Sequence, residues 1–174
     1  MVVERVKSGV LIAPDFRITE FDGKATGLFG AYGGWLSDQS LLIGAGGYWL
    51  NGTSSDNDMW YFGLVTGWFA HADKPFGFGV KSLIGYGEAT LTDFNNLSPV
   101  RRRSFSPFYP PYGYARYHDD FFVFDPDASV SARLTKNVRL TGSVGYRLTA
   151  GAYAPDDRLH GVTGGVSLQI GNGF

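Results

Sequence analysis

The feature that most constrains this chain is an alternation with period two that runs through residues 121–174. Even positions carry Phe122, Phe124, Val130, Leu134, Val138, Leu140, Val144, Leu148, Val162, Val166, Leu168 and Ile170. Odd positions carry Asp125, Asp127, Ser129, Arg133, Arg139, Thr141, Arg147, Thr163 and Gln169. Successive side chains of a strand point to opposite faces, so the pattern predicts three strands, each with one apolar and one polar face. The polar column suits bulk solvent or the lumen of a closed barrel. Alternation alone does not choose between them.

The same reading extends upstream. Val10, Ile12, Phe16 and Ile18 oppose Asp15, Arg17 and Thr19 in a first strand, where Pro14 is expected to mark a bulge or bend. Segments 25–36, 41–50 and 59–70 are glycine-rich and apolar on both faces, as in "GLFGAYGGWL" and "LLIGAGGYWL". A fifth strand sets Phe76, Phe78, Val80, Ile84 and Tyr86 against Gly77, Gly79, Lys81, Gly85 and Gly87. Turns are expected at 22–23, 37–39, 71–75 and 135–137, with longer connections at 51–58, 92–120 and 150–158. Short connections that alternate with long ones describe eight antiparallel strands in an up-and-down order. The short Asp22-Gly23 turn, on the long-connection end, is the exception.

The chain closes on "GVSLQIGNGF", with Val166, Leu168 and Ile170 stepping by two before the terminal Phe174. This strand-and-turn plan resembles the small outer-membrane β-barrel proteins of Gram-negative bacteria, whose last strand is an alternating apolar segment ending on Phe. Asn172, two residues before the end, departs from the usual pattern. The resemblance implies an all-β, eight-stranded antiparallel up-and-down transmembrane β-barrel in the bacterial outer membrane. Residues 1–174 then form one domain with a long loop at 92–120.

Composition agrees with that expectation and narrows the chemistry. Among 174 residues, 25 are glycine and 16% aromatic, which suits tightly curved strands and aromatic girdles. Trp35, Tyr48, Trp49, Trp60, Trp68, Tyr86 and Tyr146 are the girdle candidates. A net charge of −1 gives no basic bias toward nucleic acid, and the absence of cysteine removes thiol catalysis and disulfides. No apolar run reaches the length of a transmembrane helix. The opening "MVVERVKSGV" lacks the apolar core of a secretory signal, so an exported chain is expected to be a mature form with its leader removed.

If the apolar column faces lipid, the lumen receives Asp15, Arg17, Lys81, Asp125, Asp127, Arg133, Arg139 and Arg147. Opposite charges are then expected to pair there, because an isolated buried charge is very costly. The competing reading is a soluble lipocalin-like barrel around a small hydrophobic ligand, with those charges solvated outside. A narrow pore is a third possibility.

The loop supplies the candidate contact surface: Arg101, Arg102, Arg103, Phe108, Tyr109, Tyr112, Tyr114, Arg116 and Tyr117. Its arginines fit membrane lipid or lipopolysaccharide phosphates, and its aromatics fit a protein partner. No catalytic residue, metal site or cofactor is expected. His71 and His118 sit at a turn and in the loop. His160 lies close in sequence to Asp156 and Asp157, but no serine stands near it in a hydrolase motif, and Asp119-Asp120 beside His118 reads as a solvated strand entry. The expected role is structural or interactive, at the cell surface or against lipid, rather than enzymatic.

Overall fold

The computed structural model describes residues 8–21, 24–50, 58–70, 74–92, 116–151 and 160–172. These residues form eight strands: β1 (Gly9–Phe21), β2 (Lys24–Ser37), β3 (Leu41–Leu50), β4 (Asp58–Ala70), β5 (Phe76–Thr92), β6 (Arg116–Thr135), β7 (Val138–Gly151) and β8 (Gly161–Gly171). Each pairs antiparallel with its sequence neighbours, and β1 pairs with β8, so the sheet closes on itself. Closure leaves no edge strand, which is a condition for a sheet to cross a bilayer.

The alternation decides which way the barrel is turned. Ile12, Phe16, Ile18, Val80, Phe122, Val144 and Val166 stand on the outer wall, and Val130 is 68% exposed. Their neighbours Asp15, Arg17, Lys81, Asp125, Asp127, Arg139 and Arg147 are buried in the lumen. Apolar outside and charged inside is the inverse of a soluble barrel. The lipocalin-like reading fails on this point, since the arginine and aspartate columns are not at a solvated surface.

Strands β2 to β4, whose parity was ambiguous, are resolved by the same geometry. Leu28, Tyr32, Leu36, Leu42, Tyr48, Met59, Tyr61, Val65 and Phe69 point inward, while Phe29, Trp35, Trp49, Trp60, Phe62, Leu64 and Trp68 point outward. The inward side chains of β2–β4 are thus apolar or tyrosine, while the buried charges enter from β1 and β5–β7, with Leu11, Leu83, Phe121 and Val123 among them, and β8 adds uncharged polar groups. Glycine makes the tight curvature of β2–β4 possible. A Cβ on Gly34 would meet the Ile43 carbonyl and lie 2.5 Å from the Gly44 Cα, and one on Gly63 would lie 2.6 Å from the Gly85 Cα. The β2–β3 turn places both Asp38 (φ 52°) and Gln39 (φ 55°) in the left-handed region, the backbone of a type I′ hairpin, with Ser40 N–H donating to Ser37 O at 3.1 Å.

Two expectations about the strands are corrected. The bulge expected at Pro14 is absent. β1 keeps one register with β8 on either side of it, from Ile12↔Ile170 to Asp15↔Ser167, and runs continuously against β2. The missing N–H of Pro14 simply falls where the β8 ladder lapses, so no extra residue is needed. The register shift lies instead between Arg133 and Thr135, beside the β6–β7 turn. The long connection is also shorter than 92–120: β5 continues to Thr92 and β6 begins at Arg116, paired with each other.

Candidate functional site: the charged lumen

The charged cluster of the lumen is built around Arg17, whose guanidinium uses all three nitrogens. Its Nε donates to Asp15 Oδ2 at 2.9 Å, Nη1 to Asp125 Oδ2 at 2.7 Å and Nη2 to Asp127 Oδ2 at 2.7 Å. Lys81 Nζ adds a second cation on Asp127 at 2.8 Å. Asp15 and Arg17 share the inward parity of β1, Asp125 and Asp127 that of β6, and Lys81 pairs in register with Asp127 across β5 and β6. One alternating pattern thus delivers all five groups to one point.

Burial explains why they must meet. Arg17 is 2% exposed and Asp125 1%. An ion taken from water loses several kcal/mol of hydration, which only close opposite charge and hydrogen bonds offset. Three carboxylates around one guanidinium meet that requirement at near-ideal charge-assisted distances.

Tyrosines from β2–β4 complete the shell. Tyr48 OH donates to Asp15 Oδ2 at 2.7 Å, and Tyr61 OH donates to Asp125 Oδ2 at 3.2 Å. Arg17 also stacks over the Tyr48 ring at 4.4 Å, and Lys81 Nζ over the Tyr32 ring at 4.2 Å. Gln169 Nε2 donates to Tyr32 OH at 3.0 Å. Each ring stands on the β2–β4 wall and sends its hydroxyl or its π-face to the charged groups.

Of the remaining expected lumenal residues, Arg147 is buried beside Tyr61 and so borders the cluster, while the other two lie nearer the short-turn end. Arg139 is buried near the short-turn end, where Nη2 donates to Ser131 Oγ at 3.0 Å and reaches the Lys74 carbonyl at 3.5 Å. Arg133 is half-buried opposite Arg139. Sequence reasoning missed Tyr32, Tyr48, Tyr61 and Gln169. The available signal was that Tyr32 shares its parity with Leu28 and Leu36, and Tyr48 shares its parity with Leu42 and Leu50, all of them inward.

Tyr48, expected in a girdle, is corrected by the same observation, since it is a lumenal residue. The other candidates do stand outside. Trp49 and Trp60 face each other across β3 and β4 near the long-loop end, with Tyr86 and Tyr146 also exposed. Trp35 and Trp68 stand near the short-turn end. Eight residues separate Trp60 from Trp68 along β4. At about 3.4 Å per residue and a tilt of about 40°, that is about 21 Å of height, close to the apolar band of a membrane barrel.

Of the contact residues expected on the loop, Arg101, Arg102, Arg103, Phe108, Tyr109, Tyr112 and Tyr114 lie outside the described residues. Arg116 and Tyr117 are corrected: they belong to β6, in register with Thr92 and Leu91. His118 also lies within β6, opposite Thr90, and His71 is outside the described residues. His160 precedes β8, half-buried, with its Nε2 2.6 Å from the Thr149 carbonyl, so the ring N–H there donates to backbone.

No known sequence family and no curated protein matches this chain. Solved structures do. The crystal structure of Neisserial surface protein A (NspA) superposes with a TM-score of 0.58 at 12% identity, covering 98% of this chain and 100% of that one. Ail, the attachment invasion locus protein of Yersinia pestis, gives a TM-score of 0.48 at 12% identity over 94% of this chain and 95% of that one. Ail in complex with the heparin analogue sucrose octasulfate gives 0.49 at 12% identity over 97% and 98%. The superposition on NspA spans essentially both chains, so together with the closed order of strands and the inverted faces it gives this chain the fold of the small eight-stranded outer-membrane β-barrels.

Proposed function

We propose that this chain, as one domain over residues 1–174, resides in the outer membrane of a Gram-negative bacterium. There it acts as a structural or interaction protein rather than an enzyme, with a lumen closed by its own side chains. The observation that carries the reading is the ion cluster at Arg17, in which a guanidinium from β1, an ammonium from β5 and two carboxylates from β6 meet at 2.7–2.8 Å. Eight strands leave an interior just wide enough for side chains to fill. A hydrated ion passing through would have to break these pairs in a water-poor space, which is the costly event the cluster avoids.

A closed lumen leaves the long-loop end as the working face. Residues 93–115 join β5 to β6 there and carry Arg101, Arg102 and Arg103 followed by Phe108, Tyr109, Tyr112 and Tyr114. Guanidinium groups offer bidentate donors to the phosphates of lipopolysaccharide, and the aromatics suit contact with a protein partner. A surface role is in keeping with the name of the NspA neighbour.

Planar-bilayer recording tests the closed lumen. The reconstituted protein is expected to give no resolvable unitary current in KCl, and a steady ionic conductance would replace this reading with that of a narrow pore. The loop is tested by co-flotation with lipopolysaccharide vesicles. Replacing Arg101, Arg102 and Arg103 by Gln is expected to weaken that association without lowering insertion into phospholipid vesicles.

A further inference from the structure

We infer that the outer wall carries a groove for one acyl chain of a membrane lipid, on the β2–β4 face just inside the tryptophan pair at the long-loop end. The inference rests on the membrane reading above and not on the closed lumen. Most of the outer wall is covered by branched or aromatic side chains. On β2 and β3, however, the ladder sets Ala31 opposite Gly47, and on β4 Phe62 stands beside Gly47. The result is a groove of about 320 Å³ with Ala31 and Gly47 as its floor and Trp49, Trp60 and Phe62 among its walls.

The walls are formed in advance. Trp60 stacks on Phe62 with centroids 5.8 Å apart and planes within 9°. Phe29 packs against Trp49 at 5.4 Å. Rings that brace one another lose little freedom when a ligand arrives, so a weak contact is not offset by ordering them.

The surroundings choose the occupant. The groove opens outward and is continuous with the lipid-facing band, so a water-borne ligand does not reach it. A second barrel would need its wall to approach Ala31 and Gly47. Trp49 is 50% exposed and Trp60 41%, and both stand above that floor and hold a flat sheet away. A polymethylene chain is thin enough to lie on that floor, alongside the tryptophan pair and Phe62. Its depth, two residues inside the tryptophan pair, matches the first carbons of a chain. The indole N–H groups then sit level with the ester carbonyls.

Native mass spectrometry tests the assignment. The protein would be folded into vesicles of phosphatidylethanolamine and phosphatidylglycerol, then extracted in a mild detergent. The expected species is one barrel with one retained phospholipid. Ala31→Leu, which fills the floor, should lower the lipid-bound fraction about tenfold. Gly142→Leu is the control, at an outer-wall site on β7 where an added Cβ meets nothing within 4 Å. It should leave the lipid in place. Equal retention in the two variants, or a wild-type barrel without lipid, overturns the inference. A two-barrel mass abolished by Ala31→Leu would also overturn it, in favour of a second copy. Gly47→Leu provides a second filling variant should Ala31→Leu fail to fold. Vesicle flotation is read in parallel: a chain that does not float refutes the membrane reading itself, whereas a chain that floats without retained lipid refutes only the groove.

Discussion

Arg17 holds the charged cluster of the lumen together because each of its nitrogens faces a different carboxylate, two of them on the far side of the sequence. Removing it would take the shared cation away from the buried carboxylates of Asp15, Asp125 and Asp127. Arg17→Met is therefore expected to destabilise the barrel by about 3–5 kcal/mol, the usual result of deleting one partner of a buried ion pair. The measurement is the urea midpoint of the protein in lipid vesicles, and an unchanged midpoint would show that the cluster contributes nothing. On the outer wall the rule reverses. Val144, midway along β7 and exposed, belongs where lipid is thickest, and Val144→Arg is expected to cost about 2–4 kcal/mol by the same assay. In a soluble barrel the second substitution would be nearly silent.

Among the strands, β2 to β4 owe their closeness to glycine. Gly34 and Gly44 face each other so closely that a side chain on either would enter the partner's backbone. Gly34→Val is expected to block formation of the heat-resistant folded band on an unboiled gel, while Gly142→Ala, in open space, leaves the band unchanged. The strands β1 and β5–β8 were legible because polar and apolar residues alternate there, most clearly from Asp15 to Ile18 and from Phe124 to Arg133. In β2–β4 both faces are apolar, since the inward side chains of these strands are themselves apolar or tyrosine. Period alone could not say which face the tyrosines took. The ion cluster was legible only as a set of residues with one parity. That Arg17 meets Asp125 rather than Arg133 or Arg139 depends on the stagger between strands, which alternation does not encode. Pro14 misled for a related reason: a proline needs no bulge where the neighbouring ladder has already lapsed, and Pro126 repeats the arrangement between β6 and β7.

At the scale of the whole barrel, the two tryptophan levels set the thickness of bilayer the molecule fits. With about 21 Å between Trp60 and Trp68, folding yield is expected to be higher in vesicles of short-chain than of long-chain phosphatidylcholine, because mismatch costs free energy for every ångström. Gel mobility before and after boiling would measure it, and equal yields would argue against the belts as anchors. The pairing of β1 with β8 reaches further, into how the molecule is made. β1 has to wait for β8 to be made before its second neighbour exists. Until that seam zips, Arg17 and its aspartates remain wet and their attraction is muted by water. Closure of this barrel is thus expected to come late, and a chain cut short before residue 161 is expected to be left with open strand edges and to be readily cleaved by proteases.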